Sequence, residues 1–399
     1  MLNHQQTGQG LATQEKFIIH PADCCLVVVL LCNFLILLGE PLKNNAIVRL
    51  GSRGLIIVLL GFSLLQLINV IKDSKAKNAY SFIAMFITAV ISAFFSGPTT
   101  ILENLVQLVC FFMLPVSILL YQSIYNVEFA KKAIYSFNWL YTILWTILSF
   151  SSVSHVFYGE YGRETIDALT LGYANPNQTG MFLMISFIIA LSASQYKNNK
   201  VYQIAHLIQS IWTVILIFQT QSRTCIILTI AIFILWLLKR IDKIDNAFIA
   251  FCFILPAIMA GVILLGGERV QEWVVLEEEF GTGRTYLLQR VVKALSFGEF
   301  LFGDFSKWIG NNLHNSYFTV FAIFGIVGFV VYIVFLWKTV QDYFKQIDKE
   351  SLSSMIAFLG VLVVIVHGST EAALLTSGMI YASLASLLFI LTLNEGKNK

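Results

Sequence analysis

Apolar runs long enough to cross a hydrocarbon core of ~30 Å recur along the whole of this 399-residue chain, and its charges fall mostly between them. In lipid, each backbone N–H and C=O must find its partner within its own segment, so such runs fold as helices. They lie near 24–39, 54–71, 79–97, 101–121, 133–153, 178–195, 201–219, 223–238, 247–266, 316–337, 353–369 and 376–393. The pattern predicts an all-α, polytopic integral membrane protein of about 12 transmembrane helices. Charged residues are 12% of the chain, about half the share of a soluble domain, and mean hydropathy is +0.76; an ordinary soluble fold is excluded.

Lysine and arginine collect on the cytoplasmic side of membrane proteins, which orients the spans. With the N-terminus inside, most of the 26 basic residues fall in inward loops, among them Lys72, Lys75, Lys77, Lys131, Lys132, Lys239, Arg240, Lys243, Lys338, Lys345 and Lys349. Both termini are then cytoplasmic. The outward face receives Glu160, Arg163, Glu164 and Asp167 in one loop and most remaining charges in another, 267–315. Lys43, Arg49 and Arg53 in the first outward loop run against the rule.

Loops between most spans are short, and no Pro/Ser/Gly linker divides the chain, so 1–399 reads as a single membrane domain containing one large external loop, 267–315. That loop has no counterpart in the first half, which argues against an inverted-repeat transporter. Within it, Leu287, Leu288, Val291, Val292 and Leu295 recur at helical spacing opposite Gln289, Arg290 and Lys293, a short amphipathic helix that lies on the membrane or packs on the bundle. Phe297, Phe300, Phe302, Phe305 and Trp308 follow, as in a headgroup-level belt. Of the six cysteines, none falls in the long outward loops, so the pattern indicates neither a disulfide framework nor a metal site. The net charge of +3 reflects topology, and no basic surface with interleaved aromatics suggests nucleic acid.

Three features stand on the outward side. Gln219-Thr220-Gln221-Ser222-Arg223 is a very short polar loop whose arginine begins the next span; Gly283-Arg284 precedes the amphipathic helix; Leu313-His314-Asn315 opens the span carrying Gly325 and Gly328. Guanidinium groups grip phosphate through two donors at once and stay charged, and a neutral imidazole accepts a proton near physiological pH. The plain alternatives are a snorkelling arginine and a histidine anchoring a helix end. Glu277, Glu278 and Glu279 read as a solvated acidic turn, or as a base or cation site. Asn315 and Tyr317 either hydrogen-bond a substrate or orient His314, or simply start a helix. Glu371, with His367, lies on the periphery near the last external turn.

These segments resemble the O-antigen ligase and O-antigen polymerase superfamily, multi-spanning glycosyltransferases that use undecaprenyl-diphosphate-linked sugars. The resemblance rests on Ser222-Arg223, Gly283-Arg284 and His314-Asn315 in this order around one large loop, together with Asn175-Pro176-Asn177 followed by Gly180. It implies a reaction without cofactor, metal or nucleotide sugar, in which Arg223 and Arg284 bind the diphosphate and His314 takes the proton of the acceptor hydroxyl. It further implies a bacterial cytoplasmic-membrane enzyme with its site external, Asn177 beside that site, and a carrier-linked oligosaccharide donor and a glycan acceptor as partners, with a chain-length regulator and a flippase alongside. The Lys/Asn-rich inward loops and compact His314-Asn315-Ser316-Tyr317 segment look closest to capsule or exopolysaccharide polymerases. A ligase that moves finished polymer to lipid A core, or a flippase of lipid-linked oligosaccharides, remains the alternative.

The topology has a direct check. A cysteine introduced at Ser306 in a cysteine-free background should react with a membrane-impermeant reagent added outside, and one at Asn246 should not; the reverse pattern overturns the orientation.

Overall fold

The computed structural model describes residues 26–27, 30–31, 79–95, 118, 121, 124–150, 155–158, 166–173, 176–196, 199–238, 244–265, 291–308, 313, 315–370 and 379–395. In chain order the elements are α1 (Ala79–Phe95), α2 (Val127–Ser149), β1 (His155–Tyr158), β2 (Ile166–Leu169), α3 (Pro176–Ala193), α4 (Lys200–Gln219), α5 (Arg223–Leu237) and α6 (Asn246–Leu265). There follow α7 (Phe297–Phe302), α8 (Phe305–Trp308), α9 (Ser316–Gln346), α10 (Leu352–His367) and α11 (Met379–Thr392). Helix dominates among the described residues, as expected, and helices stand within the anticipated span 79–97 and within each anticipated span from 133 onward. The anticipated spans 24–39, 54–71 and 101–121 lie wholly or mostly outside the described residues. Among those described, α3, α4 and α9 are long and apolar enough to cross a membrane, and α5 and α10 are shorter apolar helices.

The faces of α4 identify the medium around it. Ile204, Ile208, Ile211 and Ile215 point outward at helical spacing, 44–60% exposed, while His206, Gln209, Ser210 and Thr213 on the other face are buried. Water would favour the opposite arrangement, and so long an apolar stripe belongs against lipid. The inward side chains satisfy one another. Ser186 Oγ donates to Asn138 Oδ1 at 2.7 Å, and Asn138 Nδ2 donates to Ser186 O at 3.0 Å. Gln209 Nε2 donates to Thr142 Oγ1 at 2.8 Å, and Gln209 Oε1 meets His206 Nδ1 at 2.9 Å. These bonds join α2, α3 and α4 where polar groups without partners are costly. Helix α3 is the centre: Thr179 to Ala193 are all buried, and α2, α4, α5, α10 and α11 pack around it.

One end of the bundle is closed by a polar cluster. Tyr135 OH lies 3.2 Å from Ser192 Oγ and 3.1 Å from Ser353 Oγ, tying α2, α3 and the start of α10. Lys131, only 3% exposed, reaches Ser354 Oγ at 3.4 Å and Glu395 at 3.5 Å. Ile347 and Leu393 pair as an isolated bridge beside them. Helix α2 therefore begins earlier than hydropathy suggests, at Val127, with Asn126 capping Phe129 N and Lys131 inside the helix. Helix α9 likewise runs beyond the expected end at 337, to Gln346.

Helix α9 is broken at Gly325 (φ 65°, ψ −172°), and the break is filled from outside. Asp304 N donates to Ala322 O at 3.0 Å, and Ser92 Oγ of α1 donates to Ile323 O at 2.6 Å. Gly303 (φ 77°) and Gly325 allow the two backbones to touch: a Cβ on either would strike the other's backbone, at Ile323 and Leu301 respectively. The loop is braced by a capping box in which Ser296 and Glu299 cap each other. The Ser296 backbone N–H holds the Glu299 carboxyl below the ordinary carboxylate range, helped by the Ser296 hydroxyl and Lys307. The anticipated aromatic belt splits. Phe305 is fully buried against Phe324, whereas Phe297, Phe300 and Phe302 are exposed. Residues 291–294 are helical, and Val291 packs on Leu313, Ala322 and Trp308, so this part of the amphipathic segment rests on the bundle.

The backbone contact makes Gly325→Ala costly on two counts: a left-handed conformation, at roughly 1–2 kcal/mol, and a clash with Leu301. Thermal unfolding of purified protein in detergent should shift downward for Gly325→Ala and not for Gly298→Ala, which has open space. Equal midpoints would show that the contact does not hold α9.

Candidate functional site

At the end of the bundle opposite Lys131, the starts of three helices meet the last turn of a fourth. Pro176 opens α3 from the first helical position, where its fixed φ fits and its missing N–H costs nothing. The turn before it has Leu171 at φ 51° and Gly172 at φ 83°, and Thr179 Oγ1 ties back to Thr170 O at 2.7 Å. Ahead of that turn, β1 and β2 pair antiparallel, with His155 opposite Leu169 and Tyr158 opposite Ile166. This ribbon was absent from the sequence expectation. Among the described residues its outer edges have no strand partner, an arrangement that hydrocarbon does not tolerate and that suits an aqueous boundary at this end.

Between α4 and α5 the chain reverses in Thr220-Gln221-Ser222. Thr220 N–H closes the last turn of α4 onto Leu216 O and Ile217 O, Gln221 takes φ 57°, and Ser222 N–H donates to Thr220 Oγ1 at 3.3 Å. Arg223 is thus the first residue of α5, as expected. It is exposed and makes no ion pair among the described residues. Ser222 adds no side-chain cap, so the positive end of α5 lies beside the guanidinium. Gly180 lets α3 pack against this turn: a Cβ there would sit 2.9 Å from Ser222 Cβ and 3.1 Å from both Cys225 Sγ and Thr220 Oγ1. Close approach, rather than a special φ, explains this glycine four residues after Pro176.

The start of α9 is fastened to the end of α10. Asn315 Oδ1 caps Phe318 N at 3.0 Å while its Nδ2 donates to Ser369 O at 2.7 Å. Ser316 N donates to Gly368 O, and Tyr317 OH donates to Ile365 O, each at 2.7 Å. Asn315 and Tyr317 are 7% and 6% exposed. Of the two readings open from sequence, these contacts bear on the helix-start role; both side chains have their partners within the protein. The last turn of α10 also meets α5, where His367 Nε2 lies 3.4 Å from Cys225 Sγ. Cys225 Sγ is also 4.0 Å from Asn177 O, so α3 closes the ring.

The structure therefore brings together the segments of Asn177, Arg223, Asn315 and Tyr317. His314, Arg284, Glu371 and the Glu277–Glu279 run lie outside the described residues. The Cys225–His367 contact escaped sequence reasoning, in which Cys225 was only one of six cysteines outside the long outward loops; its only local signal is its place two residues after Arg223. A shallow cleft lined by Asn246, Trp337, Lys338, Gln341, Asp342 and Lys345 sits well away, roughly 40 Å of helix rise along α9 from Asn315. No group of three or more His, Cys, Asp or Glu side chains able to hold a metal occurs among the described residues. Chemically, the helix-start cluster offers an exposed cation at the start of α5, where no side chain caps the helix, with the starts of α3 and α9 and the last turn of α10 as its backing. That combination suits an anion.

Asn315→Asp keeps the cap acceptor but removes the donor to Ser369 O and sets a carboxylate against a carbonyl. Stability should fall by roughly 1–3 kcal/mol, read as a lowered unfolding midpoint in detergent. An unchanged midpoint would remove this amide from the α9–α10 junction. Neither protein-family models nor curated proteins give a match to this chain.

Proposed function

We propose that this chain is a polysaccharide polymerase of the bacterial cytoplasmic membrane, with about 12 spans, both termini inside and the helix-start cluster facing the external leaflet. It transfers a growing glycan from undecaprenyl diphosphate to a hydroxyl of a lipid-linked repeat unit. The observation that carries the reading is the joining of the α3, α5 and α9 starts through the last turn of α10, with Arg223 exposed at the start of α5 and making no ion pair among the described residues. The uncapped positive end of α5 and its guanidinium at a lipid boundary suit a diphosphate whose lipid tail stays in the bilayer. The resemblance of Ser222-Arg223, Gly283-Arg284 and His314-Asn315 to the O-antigen polymerase and ligase superfamily supports the same substrate.

In this reaction the acceptor oxygen attacks the anomeric carbon, the bond from that carbon to the diphosphate oxygen breaks, and undecaprenyl diphosphate leaves with the electron pair. Arg223 and Arg284 stabilise the charge that grows on the leaving diphosphate. His314, one peptide bond before Asn315, receives the hydroxyl proton. Attack opposite the leaving group inverts the anomeric centre. The bonds from Asn315, Ser316 and Tyr317 to α10 hold that stretch of backbone still, as a positioned base requires.

Purified protein given an undecaprenyl-diphosphate-linked repeat unit should build longer carrier-linked glycans. Arg223→Lys keeps the charge but loses the planar fork, and should slow turnover on the order of 10²-fold. A lysine variant working at the wild-type rate would refute bidentate diphosphate binding at this residue. Product formed only after adding a second, carrier-free acceptor would move the assignment to a ligase.

A further inference from the structure

Cys225 and His367 are separated by 142 positions in sequence, yet meet at 3.4 Å in the interior, 0% and 1% exposed. A thiol is at home in an apolar core; a buried imidazole is not, unless its ring nitrogens find partners. The contact satisfies His367 Nε2 only when α5 and α10 keep this separation, so it acts as a spacer of fixed length. What it spaces is specific. Cys225 sits two residues into α5 from Arg223. His367 is the last residue of α10, and the next two carbonyls, of Gly368 and Ser369, receive Ser316 N and Asn315 Nδ2 from the start of α9. One short path, Arg223 to Cys225 to His367 to Gly368 and Ser369 to Asn315, thus joins the residue assigned to the donor diphosphate with the segment assigned to the acceptor.

We propose that Cys225 and His367 are a positioning pair that sets the distance between the Arg223 end of α5 and the Asn315 end of α9. The proposal rests on the polymerase reading for what that distance serves, but the distance itself is independent of it. The pair touches neither substrate. It holds the leaving-group side and the acceptor side of the site at one separation, and turnover depends on that separation more than donor binding does. A misplacement of about 1 Å costs on the order of 10²-fold in rate, whereas the arginines assigned to the diphosphate still grip it.

Two measurements on the full-length protein in lipid nanodiscs test this. The first is kinetic. Cys225→Ala and His367→Leu should lower kcat on the order of 10- to 100-fold while the donor KM changes little. Cys225→Ser and His367→Gln, which restore a hydrogen-bonding pair, should recover most of the loss. The second needs no activity. Spin labels on Gln221→Cys, the exposed residue of the otherwise buried turn before α5, and Phe297→Cys, 79% exposed on the α7 that rides on α9, report the separation. The other cysteines are replaced, and wild-type Cys225, fully buried, is retained. The distance distribution should broaden or shift in Cys225→Ala and His367→Leu and return in the conservative variants. An unchanged distribution in both disruptive variants overturns the pair as a spacer. A changed distribution with wild-type kcat overturns its role in the reaction. If the wild-type protein transfers no sugar at all, the polymerase reading falls, and the label distances alone judge the tie.

Discussion

A backbone carbonyl inside a lipid-embedded bundle must be hydrogen-bonded, and α9 meets that demand in an unusual place. A continuous helix would satisfy Ala322 O and Ile323 O internally. The break at Gly325 gives them instead to Asp304 N and to Ser92 Oγ, from a loop and from α1. Three pieces of chain become interdependent through two bonds. The first third of α9 is consequently a short rigid rod held at both ends: at the break by the α7–α8 loop, and at its start by the last turn of α10. Asn315 and Ser316 at its start share that rigidity, which makes them a sound platform for the proposed chemistry.

The helical order of the described residues is legible in the sequence because hydrophobic run length and helical order are the same requirement in a bilayer. The errors have physical causes. Lys131 and Lys132 ended an apolar run by hydropathy, although Asn126 caps the helix earlier and Lys131 has Ser354 and Glu395 as partners. Lys338 ended another, although α9 continues past it to Gln346 with Thr339, Val340, Tyr343 and Phe344 buried. The β1–β2 ribbon was invisible because four-residue strands leave no periodic signal to detect.

The candidate site was legible as a set of chain positions, not as a set of contacts. Arg223 at the start of α5 and Asn315 at the start of α9 follow from local helix-boundary signals, which depend only on neighbouring residues. Their meeting through α10 does not, because it rests on pairs such as Cys225 with His367 that nothing in the local pattern couples. The close approach of Gly180 to the Ser222 turn belongs to the same class: a small residue in an apolar helix looks unremarkable until its neighbour is known.

The closed end of the bundle carries a consequence for the order of assembly. Lys131 finds Ser354 Oγ 223 positions further along the chain, and Glu395 later still. At about 5–20 residues per second of synthesis, those partners emerge on the order of tens of seconds after Lys131 does. For that interval the ammonium group must stay hydrated at the membrane surface, because entering the bundle unpaired is prohibitive. The first hairpins can therefore enter the bilayer while the polar seal at their ends stays open, and the bundle locks at that end last.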